Sequence, residues 1–269
     1  MRLHVVTDVH GDSAALARVA HGPDGSRADG VIVLGDLVEF IDYREPANGI
    51  VGRLLGVGVA AEFARLRRAG APREEMLGLM DRAWARFDDP AAAVHEAVAA
   101  QYAEIFGVLA GLGVPVWAIP GNVDMPAAWP DVDGVATPDG TVVEIGGRRV
   151  GFLGGVPLPP GREPRPAGPW QPHFVRHEDW TARLDALGPA DVLCTHVPPA
   201  VPDLAFDVVT GRGEMTSRPL LDRIRREQPS HALFGHVHQP LHPRVRIGRT
   251  EAVNAGHFRA SGEPYVLHL

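Results

Sequence analysis

Five short segments of the chain share one pattern, in which an apolar run ends in residues that can bind a metal ion. The runs favour buried strands because they are short and rich in β-branched residues. They are Leu3–Thr7, Val31–Leu34, Val116–Ile119, Val192–Cys194 and Ala232–Phe234. The residues that follow are Asp8-Val9-His10, Gly35-Asp36, Gly121-Asn122, Thr195-His196 and Gly235-His236-Val237-His238. Because ligands gather at the carboxyl ends of strands in α/β sheets, we expect these side chains to meet at one rim.

The donor set at this rim consists of carboxylates, an amide carbonyl and imidazoles, without a thiolate. Such donors suit Mn, Fe, Zn or Ni, and there are enough of them for two ions, an arrangement that suits phosphoryl chemistry. Only Asp8 and Asp36 are anionic, so two divalent ions would leave the site positive by about two charges, which attracts phosphate. Taken singly, each donor also has an ordinary explanation as a helix cap or turn residue. The complete set favours metal binding.

The bulk composition restricts the class of protein. The chain has 269 residues and 45% hydrophobic content, which is enough for one large core, and we expect a single domain over residues 1–269. Its net charge is −7 and it has no basic stripe, which argues against long nucleic acid as a partner. The single cysteine, Cys194, fits a small buried apolar residue better than a reactive thiol. Neither a membrane span nor a signal peptide is predicted, so we expect a soluble cytoplasmic protein.

A helical insertion is predicted at about residues 53–112. This stretch is rich in Ala, Leu, Glu and Arg and is interrupted at Gly70–Pro72 and Asp88–Pro90, which indicates two or three helices. Asp89 suits an N-cap, with Pro90 at the first helical position. The insertion suits either a cap beside the site or an outer layer that covers a sheet. It also offers a surface for a homodimer, so the protein is expected to be a monomer or a homodimer.

Shorter strands and helices are predicted in the second half of the chain. A β-hairpin is predicted from Thr141–Ile145 and Val150–Leu153, joined around Gly146-Gly147. The Pro- and Gly-rich stretch Gly154–Pro172 reads as an ordered surface loop, either a wall of a substrate site or a plain connector. Helices are predicted near His177–Leu187 and at Arg218–Glu227, and strands at Val245–Ile247, Glu251–Asn254 and Tyr265–Leu267.

The ordered motifs resemble those of the calcineurin-like metallophosphoesterase superfamily. In that family Asp-x-His, Gly-Asp, Gly-Asn, a single His and Gly-His-x-His follow one another, and this sequence supplies all five in that order. The resemblance implies an α/β fold, a four-layer α-β-β-α sandwich of two mixed sheets with outer helices. It also implies two divalent metal ions, with Mn favoured. The implied ligands are Asp8, His10 and His238 for the first ion, Asn122, His196 and His236 for the second, and Asp36 as the bridge.

The activity implied by the resemblance is hydrolysis of phosphate esters. A hydroxide that bridges the ions would attack phosphorus in line with the leaving oxygen. We expect a small phosphate ester as the substrate, and neither a membrane nor a long nucleic acid as a partner. The alternatives are a phosphomonoesterase that acts on a small phosphorylated metabolite and a non-catalytic scaffold of the same fold. The scaffold is disfavoured because all seven ligands are present.

Two positions depart from the family pattern. Many members have a His after the Gly-Asn motif that helps the leaving group depart, whereas this chain has Val123 at that position. Some small bacterial members of the family also lack this His. Phosphodiesters with good leaving groups need that acid least, so a phosphodiester is favoured. Glu39 stands where Asp is common in the family. It could orient a metal ligand or the backbone of the site, or it could be a solvated loop acid. Asp124 is expected to organise the turn.

Three further residues are candidates for catalysis or substrate binding. His257 follows Asn254-Ala255-Gly256 and could replace the missing proton donor, or be an ordinary surface histidine. Arg212 and Arg218 flank a Gly-containing stretch after His196, where a guanidinium could bind phosphate, or they could be solvated loop charges. The predicted catalytic residues are Asp36, Asn122 and His257, and the predicted substrate-binding residues are Asn122, Arg212 and Arg218.

Overall fold

The structure is a computed structural model that describes residues 1–22, 25–165 and 168–269. The strands in chain order are β1 (Arg2–Val6), β2 (Gly30–Val33), β3 (Val116–Ala118), β4 (Val135–Ala136), β5 (Thr141–Ile145), β6 (Arg148–Leu153), β7 (Val156–Pro157), β8 (Phe174–Val175), β9 (Val192–Thr195), β10 (Phe206–Asp207), β11 (Arg212–Gly213), β12 (His231–Phe234), β13 (Arg244–Ile247), β14 (Thr250–Asn254) and β15 (Tyr265–His268). The helices are α1 (Ser13–Leu16), α2 (Ile50–Leu55), α3 (Val57–Arg68), α4 (Arg73–Trp84), α5 (Pro90–Ala110), α6 (His177–Ala186), α7 (Pro202–Ala205), α8 (Arg218–Glu227) and α9 (Phe258–Ser261).

Two large mixed sheets form the centre of the fold. One has the strand order β15-β1-β2-β3-β4, in which β1 to β4 run parallel and β15 pairs antiparallel to β1. The other has the order β13-β14-β12-β9-β6-β5, with a parallel centre and an antiparallel strand at each edge. The predicted strands are confirmed, and their ends differ from the prediction by one or two residues.

The sheets pack face to face because alternate residues of their strands are apolar on both sides. In β2, Ile32 faces the core between the sheets, whereas Val31 and Val33 face helix α5. In β12, Leu233 lies in the same intersheet core, whereas Phe234 packs with the helices α6 and α8. Three apolar layers therefore separate four structural layers, and the predicted α-β-β-α sandwich is confirmed.

The helical insertion begins at Ile50 and contains one more break than the sequence indicated. Gly56 has φ +93°, which ends α2 before α3 begins, so α2 to α5 replace the two or three helices that were predicted. Helix α5 starts at Pro90, and its N-cap Asp89 accepts a hydrogen bond from Ala92 N at 2.9 Å, as predicted. The buried face of α5 packs on the first sheet and forms its outer layer.

The predicted hairpin of β5 and β6 is present, with its turn at Gly146 and Gly147, where φ is +57° and +73°. These two left-handed residues suit the tight turn that joins twisted strands. The stretch Gly154–Pro172 contains β7, which pairs with β8, and its residues 166 and 167 lie outside the described residues. Over the described parts of the chain, no helix is both long and apolar enough to cross a membrane.

Candidate metal centre

The carboxyl ends of β1, β2, β3, β9 and β12 meet at one rim, as the sequence predicted. The side chains brought together there are Asp8, His10, Asp36, Asn122, His196, His236 and His238. Their assignment as ligands was implied by resemblance. The distances within the set indicate two clusters with one residue between them.

The first cluster consists of Asp8, His10 and His238. Asp8 Oδ1 lies 3.3 Å from His238 Nε2 and 3.8 Å from His10 Nε2, and the two Nε2 atoms are 3.2 Å apart. Asp8 Oδ2 accepts hydrogen bonds from Thr7 Oγ1 at 2.8 Å and from His236 N at 3.1 Å. Oδ1 is buried and makes no well-formed hydrogen bond within the described residues. That oxygen and the facing imidazoles fit a cation.

The second cluster consists of Asn122, His196 and His236. Asn122 Oδ1 lies 2.6 Å from His236 Nδ1 and 3.2 Å from His196 Nε2. His196 Nδ1 lies 2.7 Å from the carbonyl oxygen of Leu34, an acceptor that favours a proton on Nδ1 and turns Nε2 towards the site. His236 Nε2 is buried without a hydrogen-bond partner among the described residues. The amide oxygen and the imidazoles again fit a metal ion.

Asp36 lies between the clusters. Its Oδ1 atom is 3.5 Å from His196 Nε2, and it accepts a hydrogen bond from Val123 N at 2.9 Å. Ligand atoms of Asp36, Asp8 and His10 all lie within 4.8 Å of one another. A carboxylate this near to both clusters has the position that a bridging ligand needs.

The backbone at the rim is held in an uncommon conformation. Asp8, His10, Asp36 and His236 have φ of +56°, +45°, +54° and +71°, the left-handed region that non-glycine residues rarely adopt. Within the described ranges, the other non-glycine residue with positive φ is Gln228, at the end of α8. Each such residue costs about 1–3 kcal/mol and persists where the surrounding structure enforces it, which is typical of functional sites.

Two glycines let the strand ends approach each other. A Cβ atom on Gly235 would lie 1.8 Å from Thr7 Oγ1, and one on Gly121 would lie 2.1 Å from Asp36 Oδ1. Any larger residue would push the clusters apart. The glycines that precede His236 and Asn122 are therefore required by the packing of the rim.

Burial and charge within the site shift the pKa of several groups. Burial alone would raise the pKa of Asp8, but His238, His196 and His10 outweigh it and hold the pKa below its usual range. Burial opposes protonation of His196, yet the carboxylates of Asp36 and Asp8 raise its pKa to about 9. Burial, reinforced by the charge of His196, lowers the pKa of His236 to about 4. Asp8 is therefore ionised near neutral pH and available to a cation.

A family comparison agrees with this geometry. The profile of the calcineurin-like phosphoesterase family matches residues 1–240, a span that contains every residue of both clusters. This chain belongs to the calcineurin-like phosphoesterase family. Members of the family bind divalent metals and generally hydrolyse phosphate esters, and the candidate His and Asp ligand groups of this chain lie within the matched span.

Two solved structures share the fold of this calcineurin-like phosphoesterase. One crystal structure aligns with a TM-score of 0.57 at 15% identity, over 99% of this chain and 98% of the other. The crystal structure of TT1561 of Thermus thermophilus aligns with a TM-score of 0.52 at 15% identity, over the same shares of the two chains. A search of curated proteins gave no significant match. At this identity the likeness concerns the fold alone.

Two polar residues hold the turns that carry the predicted ligands. The buried Asp124 carboxylate accepts hydrogen bonds from Gly121 N at 2.8 Å, Leu37 N at 3.0 Å and the Tyr102 hydroxyl at 3.0 Å. It thus organises the Gly-Asn turn, as expected. Asn254 Nδ2 donates to the carbonyl oxygens of Gly235 at 3.3 Å and Val237 at 2.8 Å. This contact redirects the turn after β12, so that both of its histidines point towards the rim.

His257 lies beside the first cluster. Its ring stacks on that of His238, with centroids 3.9 Å apart and planes at 19°, and its centroid is 5.8 Å from that of His10. Nitrogen atoms of the three rings lie within 4.8 Å of one another. The location argues against the alternative of a surface histidine remote from the site. Its catalytic role stays a prediction.

Arg259 was not predicted from the sequence. Its guanidinium forms ion pairs with Glu39 and Asp42, and its backbone N–H donates to the carbonyl oxygen of Asp8 at 3.2 Å. Only 12% of the Glu39 side chain is exposed, so Glu39 is a paired residue of the site wall and not a solvated acid. Arg259 follows His257 by two residues, and its proximity to the site could have been inferred only from that spacing.

Arg212 and Arg218 each pair with a neighbouring acid at the surface. Arg212 Nε is 3.0 Å from Glu214 Oε1, and Arg218 Nε is 3.0 Å from Asp222 Oδ1. Their side chains are 59% and 67% exposed, and neither is among the described residues that line the pocket beside the metal centre. Their role in substrate binding stays a prediction without support from the geometry.

Proposed function

We propose that this protein is a phosphodiesterase that uses two divalent metal ions, with Mn favoured. The observation that supports two ions best is the position of Asp36, whose carboxylate reaches His196 at 3.5 Å and also groups with Asp8 and His10. Asp8, His10 and His238 would hold one ion, and Asn122, His196 and His236 the other. When bound, divalent ions supply Lewis acidity and make a coordinated water more acidic.

The residues of the chain contribute orientation and charge. Thr7 and the backbone of His236 hold Asp8, and the carbonyl oxygen of Leu34 holds His196, so the donor atoms are oriented before a ligand arrives. In the hydrolysis, the oxygen of water forms a bond to phosphorus, the ester P–O bond breaks, and the leaving oxygen takes up a proton.

The proposed preference for diesters rests on which residue can give the leaving oxygen its proton. Val123 lines the pocket beside the predicted ligand Asn122, and its side chain has no proton to give. Esters whose leaving group departs as a stable anion need no donor there. We therefore propose a phosphodiester with a good leaving group as the preferred substrate, and His257 as the candidate donor for weaker ones.

A turnover screen tests the proposal. Phosphomonoesters, phosphodiesters and cyclic nucleotides are assayed with Mn, Fe, Zn, Ni or no metal, with Asp36→Ala as the inactive comparison. We expect metal-dependent hydrolysis that is fastest for diesters with good leaving groups. Faster turnover of monoesters would assign a phosphomonoesterase instead. Absence of both turnover and bound metal would point to a non-catalytic scaffold.

A further inference from the structure

A pocket of about 310 Å³ opens beside the metal centre and shares His10 and His238 with it, and the neighbouring His257 also lines the pocket. This volume is at the small end of the range for ligand pockets, so the pocket suits one compact organic group. If the phosphorus of a substrate lies at the two clusters, the organic group attached to it would enter this pocket.

The wall of this pocket is aromatic and apolar. Phe40 and Trp170 stack with ring centroids 4.3 Å apart and planes at 19°, and both line the pocket together with Tyr43 and Val123. Trp170 Nε1 is buried and has no hydrogen-bond partner within the described residues. Val123 thus adds apolar surface at the position where many relatives have a polar imidazole. A flat aromatic group is complementary to such a wall.

The acidic residues of the pocket are already engaged by the chain itself. The Asp207 carboxylate accepts hydrogen bonds from Val209 N and Thr210 N, both at 2.9 Å, while Asp42 and Glu39 pair with Arg259. These acids are therefore not available to a cationic ligand.

Arg44 is the remaining charged residue of the pocket wall. Its side chain is exposed, and the described part of the chain gives its guanidinium no ion pair. A guanidinium without a carboxylate partner, next to a centre that attracts phosphate, suits a phosphate oxygen.

A larger cavity of about 700 Å³ lies elsewhere and offers less to a ligand. Its buried Arg223 donates to the carbonyl oxygens of Leu187 and Gly188 at 2.8 Å, and its Arg149 pairs with Asp191 at 2.9 Å. These two guanidinium groups are already engaged by partners within the chain.

We propose that the substrate is a phosphate ester with a flat aromatic substituent, an aryl ring or a nucleobase, that packs against Trp170 and Val123 while Arg44 contacts a phosphate oxygen. The proposal rests on the proposed function, because the phosphorus must lie at the metal centre for the substituent to reach this wall. Stacking on an aromatic side chain strengthens binding by roughly tenfold or more.

Non-hydrolysable phosphonates test the proposal by binding, separately from turnover. Kd values of methylphosphonate, phenylphosphonate and a thymidine 5′-phosphonate are measured by calorimetry on the Mn-loaded protein, together with quenching of tryptophan fluorescence. We expect at least one aromatic phosphonate to bind about tenfold more tightly than methylphosphonate. Tighter binding of the phenyl or of the thymidine compound tells which kind of ring the wall accepts.

Three variants locate the contact. Trp170→Ala is expected to reduce the aromatic advantage to within about twofold, whereas Trp170→Phe retains it. Arg44→Ala is expected to weaken all three phosphonates by a similar factor, and Arg65→Ala, which removes an exposed arginine of α3, leaves every Kd unchanged. If Trp170→Ala does not fold, the quenching of tryptophan fluorescence by the ligand is compared between the unaltered protein and Trp170→Phe, which keeps the other four tryptophans. Quenching that is lost in Trp170→Phe locates the contact at Trp170, and quenching that is unchanged contradicts it.

The possible failures can be told apart. Equal Kd values for methyl- and phenylphosphonate and the thymidine compound, or an aromatic advantage that survives in Trp170→Ala, would overturn the aromatic pocket even if diesters are hydrolysed. Selective binding of aromatic phosphonates without turnover of any ester would instead overturn the proposed function and leave the pocket assignment standing.

Discussion

The Nε2 atoms of His10 and His238 lie 3.2 Å apart, although 228 positions separate the two residues in the chain. Both imidazoles face the buried Oδ1 atom of Asp8. Two ring nitrogens that face each other beside an ionised carboxylate are stabilised by a shared cation, since both lone pairs can then point at it. This arrangement underlies the expectations for metal binding.

Removing single ligands is expected to change the metal content in steps. The unaltered protein, loaded with Mn and freed of excess metal, is expected to hold two ions per chain. Asn122→Ala should retain about one ion, because it removes a donor from the second cluster only. Asp36→Ala should lose most of both ions and abolish turnover. Elemental analysis measures the content, and wild-type metal content and turnover in Asp36→Ala would refute the bridging role.

Gly121→Ala is expected to destabilise the fold and abolish turnover. The added Cβ would lie 2.1 Å from Asp36 Oδ1 and 2.4 Å from Asp36 N, so the rim must open. We expect a loss of about 2–3 kcal/mol in the free energy of unfolding, measured in urea. Gly107→Ala is the matched control, because an added Cβ in α5 meets no atom within 4 Å there, and it should stabilise by up to about 1 kcal/mol. Equal effects of the two substitutions would contradict the close approach at the rim.

Tyr102→Phe is expected to loosen the turn that carries Asn122. The buried hydroxyl donates to Asp124 Oδ1 at 3.0 Å and accepts from Met125 N at 2.7 Å. Its removal leaves Met125 N without this acceptor and takes one donor from Asp124, which costs about 1–3 kcal/mol of stability. Turnover should fall because Asp124 positions Gly121. Tyr265→Phe, whose hydroxyl has no hydrogen bond within the described residues, should change stability by less than about 0.5 kcal/mol. Comparable losses in both variants would count against this role.

Metal binding is expected to release a proton from His196. In the metal-free protein its pKa is raised to about 9, because Asp36 and Asp8 outweigh the effect of burial, so the ring is protonated near pH 7 and must lose that proton to bind a metal. Affinity for Mn should therefore rise with pH and level off above about pH 9. Calorimetry in buffers of different ionisation enthalpy measures the release. An affinity independent of pH between 7 and 9 would show that metal binding displaces no proton from His196.

The same shift has a consequence for the stability of the metal-free fold. Because the folded pKa of His196 lies above the ordinary value of 6.5, its ion pair with Asp36 stabilises fully below about pH 6.5. The contribution is lost as the pH rises through about 9. Chemical unfolding across this range, compared with His196→Ala, measures it.

The strands and the residues that follow them could be predicted because both signals are local. An apolar run such as Val31–Leu34 predicts a buried strand, and Asp36 follows two positions after its end, so placing the run also places the carboxylate. The convergence of the five strand ends then follows from the order of the parallel strands within each sheet and from the face-to-face packing of the two sheets. The outer layer formed by α5 was one of two alternatives, and it is set by how its apolar face packs on the first sheet.

The parts that escaped prediction depend on contacts between distant residues. Nothing near Arg259 indicates that it pairs with Glu39 and Asp42, which lie more than two hundred positions earlier. Trp170 reaches Phe40 through a loop whose path depends on the whole fold. The break at Gly56 was missed because the helical composition continues on both sides of it.

Anomalous diffraction from crystals soaked in Mn is the most direct test of the bimetallic centre. We expect two peaks about 3.5–4 Å apart, one beside Asp8, His10 and His238 and one beside Asn122 and the other histidines, with Asp36 in contact with both. A single peak, or two peaks that Asp36 does not join, would contradict it.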